Sequence, residues 1–261
     1  MPVDIRILGW PVAVQFAAFM AAFLLIAAIG ILVSEKLRKN KETYPSGETI
    51  ALILGVYGAI YGVLLAFVIV IAWEDLDTAS SRVDMESAAL ASVVRDSQFF
   101  PAPVRDAISD DMNRYVDHTV NTEFKEMSNG FVPSASNPAL EEIFTTLKGF
   151  TPRNASEVAA YEQILTNLNS AIADRRARIG DSEDHLPPLL QYFIFGGALC
   201  VIVLASLYKP KSMFDRVMVL VSISALLAAS LLVVIGLNRP FSGDISVSPD
   251  AFYRGILAQY R

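Results

Sequence analysis

Apolar residues concentrate in four stretches of the chain. Residues 12–33 hold no charged side chain and one strongly polar one, Gln15. Residues 50–73 are charge-free, and so are 189–207, which follow Pro187 and Pro188, and 217–237. A helix that crosses a bilayer needs about 20 mostly apolar residues. Its backbone must also satisfy its own hydrogen bonds. The pattern therefore predicts four membrane-spanning helices. The first run exceeds the apolar core of a cleaved leader, about 7–15 residues. Its leading flank has only Arg6, balanced by Asp4, while Lys36, Arg38, Lys39 and Lys41 follow it. The expectation is a retained span.

Between the second and third apolar runs lies a polar insert, residues 74–186. Val104, Ile108, Met112, Val116, Val120, Phe124 and Met127 recur every three or four positions, the period of one helical face. Val158, Tyr161, Leu165, Leu168, Ile172 and Ile179 form a second stripe. Asn137 before Pro138, with Glu141 and Glu142 in the next turn, reads as a helix start. Asn154 with Glu157 resembles a capping box. Pro101 and Pro103 separate helices, and residues 128–138 form a turn-rich loop. No breaker follows Trp73, so the second span is expected to continue to about residue 98 as one helix. The fold class is an all-α integral membrane protein, with four transmembrane helices and a helical extramembrane domain between helices 2 and 3. The expected segments are 1–73, 74–186, 187–237 and a C-terminal tail, 238–261.

Composition narrows the function. Charged residues make up 18% of the chain, against about 25% in a typical soluble domain, which fits the membrane reading. A net charge of -6 argues against nucleic acid as a partner. A lone cysteine, Cys200, and two histidines leave no disulfide framework and few metal ligands, so no cofactor is expected. No charged residue or histidine lies inside a span, which disfavours proton-coupled carriers. No phosphate loop, nucleophile elbow or HExxH pattern occurs. The acidic run at 181–184 lacks the spacing of a calcium loop. An enzyme is not expected. Cytoplasmic loops are enriched in Lys and Arg. The cations at 36–41, and Lys209, Lys211 and Arg216, place both short loops inside, hence both termini and the acid-rich insert outside.

Several motifs carry a family resemblance. The run YGVLLAFVIV at 61–70 leads into Trp73, Ala79, Glu86 and Ala88. Tyr115, Glu123 and Met127 follow, then Arg175 and Arg178 before the third span. The tail carries NRPFSG at 238–243, VSP at 247–249 and Phe252. Together these resemble a bacterial bestrophin-like membrane family of unknown function, over about residues 50–255. Phe124 stands where that family usually has Trp. By a more distant step the resemblance reaches the bestrophins. It implies an oligomeric anion channel whose second span lines a pore with a hydrophobic neck. It also implies a cytoplasmic large domain, opposite to the side given by the basic loops.

The second span supplies the candidate residues. Gly55, Ala59, Gly62 and Ala66 share a face, where small side chains let helices approach closely. That contact is either inside one subunit or the wall of a multi-subunit pore. Tyr57 and Tyr61 could offer hydroxyls to an ion or a water column, and Phe67 and Val70 could form a constriction that gates by dewetting. The alternative for each is lipid or core contact. Glu74, Asp75 and Asp77 would form an acidic mouth that attracts cations. Arg175 and Arg178, three apart, and Arg239 after the fourth span have two readings. They either pair with the acidic cluster or Glu86, or form an anion-attracting vestibule. His118 and His185 are expected to be exposed, with pH sensing as the alternative. The leading expectation is an ion channel, anion-conducting, built as a homo-oligomer in a lipid bilayer and passing small inorganic ions. The rival is a non-conducting sensor or scaffold whose acidic domain binds a partner.

Overall fold

The computed structural model describes residues 10–37, 45–134, 136–183, 186–210 and 212–260. Among the described residues every regular element is helical and no strand occurs. The α-helices are α1 (Val12–Leu37), α2 (Gly47–Asp96), α3 (Ala102–His118), α4 (Phe124–Ser128), α5 (Pro138–Gly149), α6 (Ala155–Glu183), α7 (Pro188–Leu207) and α8 (Met213–Leu237). Short 3-10 turns cover Ser97–Phe99, Pro249–Tyr253 and Gly255–Tyr260. Four helices, α1, α2, α7 and α8, are long and apolar enough to cross a membrane, as the hydrophobic runs predicted. The expected unbroken helix through Trp73 is present. No glycine or proline occurs between Gly62 and Pro101 to stop it.

The chain divides into two compact units, Met1–Glu74 with His185–Asn238, and Asp75–Asp184 with Arg239–Arg261. In the first unit α1, α7 and α8 share an apolar interior built from Phe23, Ala27, Ile194, Ile202, Leu227 and Leu231. Tyr61, Leu65 and Val68 of α2 join it. Between lipid-embedded helices, close packing rather than water release supplies the attraction. Arg216, counted above among the loop cations, is buried inside this unit. Its guanidinium donates to the Ser206 carbonyl at 3.2 Å and lies 3.4 Å from a Glu35 carboxylate oxygen. One of the charges behind the orientation argument is therefore internal to the bundle. Arg38, Lys39, Lys41, His185 and Lys211 lie outside the described residues.

The second unit is a helical domain with its own core. Ile108, Met112, Val116, Phe124 and Met127 of the first predicted stripe are buried, with Val104 and Val120 packed against them. A five-residue π turn, Thr119–Glu123, joins α3 to α4. Asn137 caps α5 by accepting from the Ala139 amide at 3.1 Å. Asn154 and Glu157 form a variant of the expected capping box, in which the Glu157 carboxylate accepts from the Arg153 amide and the Asn154 side chain rather than from the Asn154 amide. The Glu157 amide donates to Asn154 Oδ1 at 2.9 Å, and Asn154 Nδ2 donates to Glu157 Oε1 at 2.9 Å.

Leu168 of the second stripe is buried, and Tyr161, Leu165 and Ile172 pack partly buried against the same core. Val158 is exposed, while Glu157, Ala160, Ile164, Leu168, Ala171, Arg175 and Arg178 are buried. The true inner face of α6 ends in two arginines, so apolar periodicity pulled the reading toward its flank. The C-terminal segment also departs from a free tail. Phe241, Phe252 and Leu257 are buried in this unit's core. Ser242 Oγ lies 3.0 Å from the carbonyl oxygens of Met127 and Ser128, and the hydroxyls of Tyr260 and Ser109 are 2.9 Å apart.

Candidate functional site

Most of the apolar half of α2 is uncovered by its own chain. Gly55, Ala59, Gly62 and Ala66 are all exposed. A β-carbon built on Gly55 or Gly62 would have no neighbour within 4 Å. Among the described residues the small-residue face thus makes no intrasubunit contact at Gly55 or Gly62. Phe67 is 64% exposed and Val70 52% exposed. Tyr57 is half-buried.

Tyr61 is corrected. It is buried, and its hydroxyl donates to the Ile194 carbonyl of α7 at 2.9 Å. A hydroxyl engaged in this way is not offered to a passing ion from this protomer. Glu74, Asp75 and Asp77 are exposed.

For Arg178 the pairing reading holds, with Glu86 as partner, and Arg175 pairs instead with Glu123. Both arginines are buried in the second unit, not on a vestibule wall. Arg178 Nε donates to Glu86 Oε2 at 2.7 Å, and its Nη2 donates to Glu123 Oε2 at 2.7 Å. Arg175 Nη2 donates to Glu123 Oε1 at 2.8 Å and to the Ser134 carbonyl at 2.8 Å. The Tyr115 hydroxyl donates to Glu86 Oε1 at 2.6 Å, and Asn137 Nδ2 to Glu123 Oε1 at 3.2 Å. Two carboxylates and two guanidinium groups thus form a neutral, nearly closed network. The Phe124 ring completes it, with the Arg178 guanidinium carbon 5.1 Å from the ring centroid. Phe241 and Phe252 approach Phe124 edge-on. Of the partners proposed from sequence, Glu86 is the one found for Arg178. Arg239 is half-buried in the same unit.

The network has clear electrostatics. Burial pushes the Glu123 carboxyl up, but Arg178 and Arg175 outweigh it and hold the group below the usual carboxylate range. Burial, followed by the negative charge of Glu86, pushes the Tyr115 hydroxyl far above its ordinary value. A carboxyl with a lowered folded-state pKa stabilises the fold above its unfolded value of about 4.3. That stability is lost as pH falls through the folded value. Melting in detergent should therefore weaken in acid below about pH 4.3. Glu123→Gln should show a smaller acid-dependent loss, and an unchanged loss would exclude Glu123 as its source. His118 Nε2 lies 3.8 Å from Glu123 Oε1 and is partly exposed.

Sequence reading gave Glu123 and Tyr115 no role of their own. Both stood in the motif set of the family resemblance, which was the available signal. A sequence profile for the Bestrophin-like domain matches residues 21–252. The chain belongs to the Bestrophin-like family. Two crystal structures of a bacterial bestrophin homologue from Klebsiella pneumoniae, each with a single mutation, share this bestrophin-like fold. The first has a TM-score of 0.66 at 15% identity and covers 94% of this chain and 99% of the other. The second has a TM-score of 0.65 at 15% identity and covers 94% and 97%. No curated protein sequence matches the chain. In this bestrophin-like protein, Glu86, Glu123, Arg175 and Arg178 of the motif set converge in one place although they are far apart in sequence.

Proposed function

We propose that this bestrophin-like chain is the protomer of a homo-oligomeric, anion-conducting ion channel whose pore is lined by the apolar half of α2. The observation that carries the reading is the uncovered, charge-free face of that helix. Small residues on one part of the face suit contact with a neighbouring copy. Phe67 and Val70, on another part, suit a hydrophobic neck. Family membership supports the channel class. The second unit acts as an extramembrane vestibule, and Glu74, Asp75 and Asp77 tune the charge at the mouth. The cations at 36–41 support an extracytoplasmic vestibule.

Purified protein in chloride-loaded liposomes should release chloride. Phe67→Ala should raise the rate by widening the neck. Glu74→Gln with Asp77→Asn should shift permeability toward anions by weakening cation attraction. Absence of flux together with a monomeric mass in detergent would replace the channel with the non-conducting sensor or scaffold. Reporter fusions after Lys41 and within residues 128–134 should report opposite sides. A cytoplasmic signal from the second fusion would reverse the proposed orientation.

A further inference from the structure

The contact between Tyr61 and α7 is built on both sides. The Tyr61 hydroxyl donates to the Ile194 carbonyl at 2.9 Å. Three residues further along α7, a β-carbon on Gly197 would overlap the Tyr61 ring. The adjacent Gly196 has open space instead. Gly197 is therefore the notch that admits the ring. Phe193 packs against the ring, with centroids 6.0 Å apart and planes tilted by 44°. Leu65 and Val68 continue the buried face of α2 beyond the notch, while Phe67 and Val70 stay exposed.

We propose that Tyr61 is a positioning residue. Seated in the Gly197 notch and anchored on the Ile194 carbonyl, it fixes the distance of α2 from α7 and thereby the separation of Phe67 side chains between neighbouring copies. This rests on the channel reading above. A helix held against a bundle by close packing has few stable positions, because a side chain either fills its hole or is displaced from it. Adding a methyl group at Gly197 displaces the ring and moves α2 as a body. Removing the hydroxyl keeps the ring in place and loosens the anchor.

The test uses the full chain with Cys200→Ser, and compares Gly197→Ala, Tyr61→Phe and Gly196→Ala. Two quantities are measured: the ratio of large-anion to chloride permeability in liposomes, and the inter-copy distance between spin labels on Phe67→Cys in detergent. Gly197→Ala should shift both, whereas Gly196→Ala should leave both at their parent values. Tyr61→Phe should shift the permeability ratio in the same direction, by no more than about tenfold, the population ratio that one net hydrogen bond can supply. Melting temperatures separate positioning from loss of fold, and Tyr61→Phe serves if Gly197→Ala does not assemble. Parent-like permeability and distance in both Gly197→Ala and Tyr61→Phe would overturn the positioning role while leaving the channel intact. A parent protein without flux and without an inter-copy distance would instead remove the channel reading, and this proposal with it.

Discussion

Arg178→Ala should destabilise the protein by about 3–5 kcal/mol, the cost of removing one partner from a buried ion pair. Arg178 is fully buried, and its guanidinium bridges Glu86 and Glu123. Without it, two carboxylates remain in a buried site, and Arg175 reaches Glu123. Arg178→Lys should recover little, because a point ammonium cannot reproduce the planar fork that reaches both acids. The double substitution Glu86→Gln with Arg178→Met should recover more than Arg178→Ala alone, since it neutralises Glu86 and leaves Glu123 paired with Arg175. Thermal and denaturant melting in detergent would measure this. A variant as stable as the parent but altered in ion selectivity would sink the structural account and return Arg178 to the vestibule.

The second large effect is on assembly. Gly62→Leu should leave the protomer folded but break the oligomer. Among the described residues no other part of the chain lies within 4 Å of a β-carbon at this position, and leucine favours a helix over glycine by roughly 0.5–1 kcal/mol. A bulky residue on a small-residue contact face holds neighbouring helices apart. Light scattering in detergent should read a fall in mass with no loss of helical signal. An unchanged assembly mass would show that this face of α2 meets lipid, which would end the proposed pore geometry.

How much was legible in the sequence differed by element. The spans were legible because lipid imposes a length and an apolar composition, and both can be read from the residues. The caps at Asn137 and Asn154 were legible because capping is local. The inner face of α6 was legible only in part, because its buried residues include Arg175 and Arg178, whose burial depends on Glu86 and Glu123. Those acids come from α2 and from the π turn. The C-terminal segment, expected as a tail, contributes Phe241 and Phe252 to a core built by other helices.

The sequence by itself determined that the chain is helical, that four of its helices can cross a membrane and that no Asp, Glu, Lys, Arg or His lies within their apolar runs. These follow from the properties of contiguous residues. Only the tertiary structure decided that Tyr61 faces inward to the Ile194 carbonyl, that a β-carbon on Gly62 would meet none of the other described helices, and that two arginines neutralise two distant glutamates. Each of these depends on which helix lies beside which, and helical periodicity gives the faces of a helix but not the neighbours they meet.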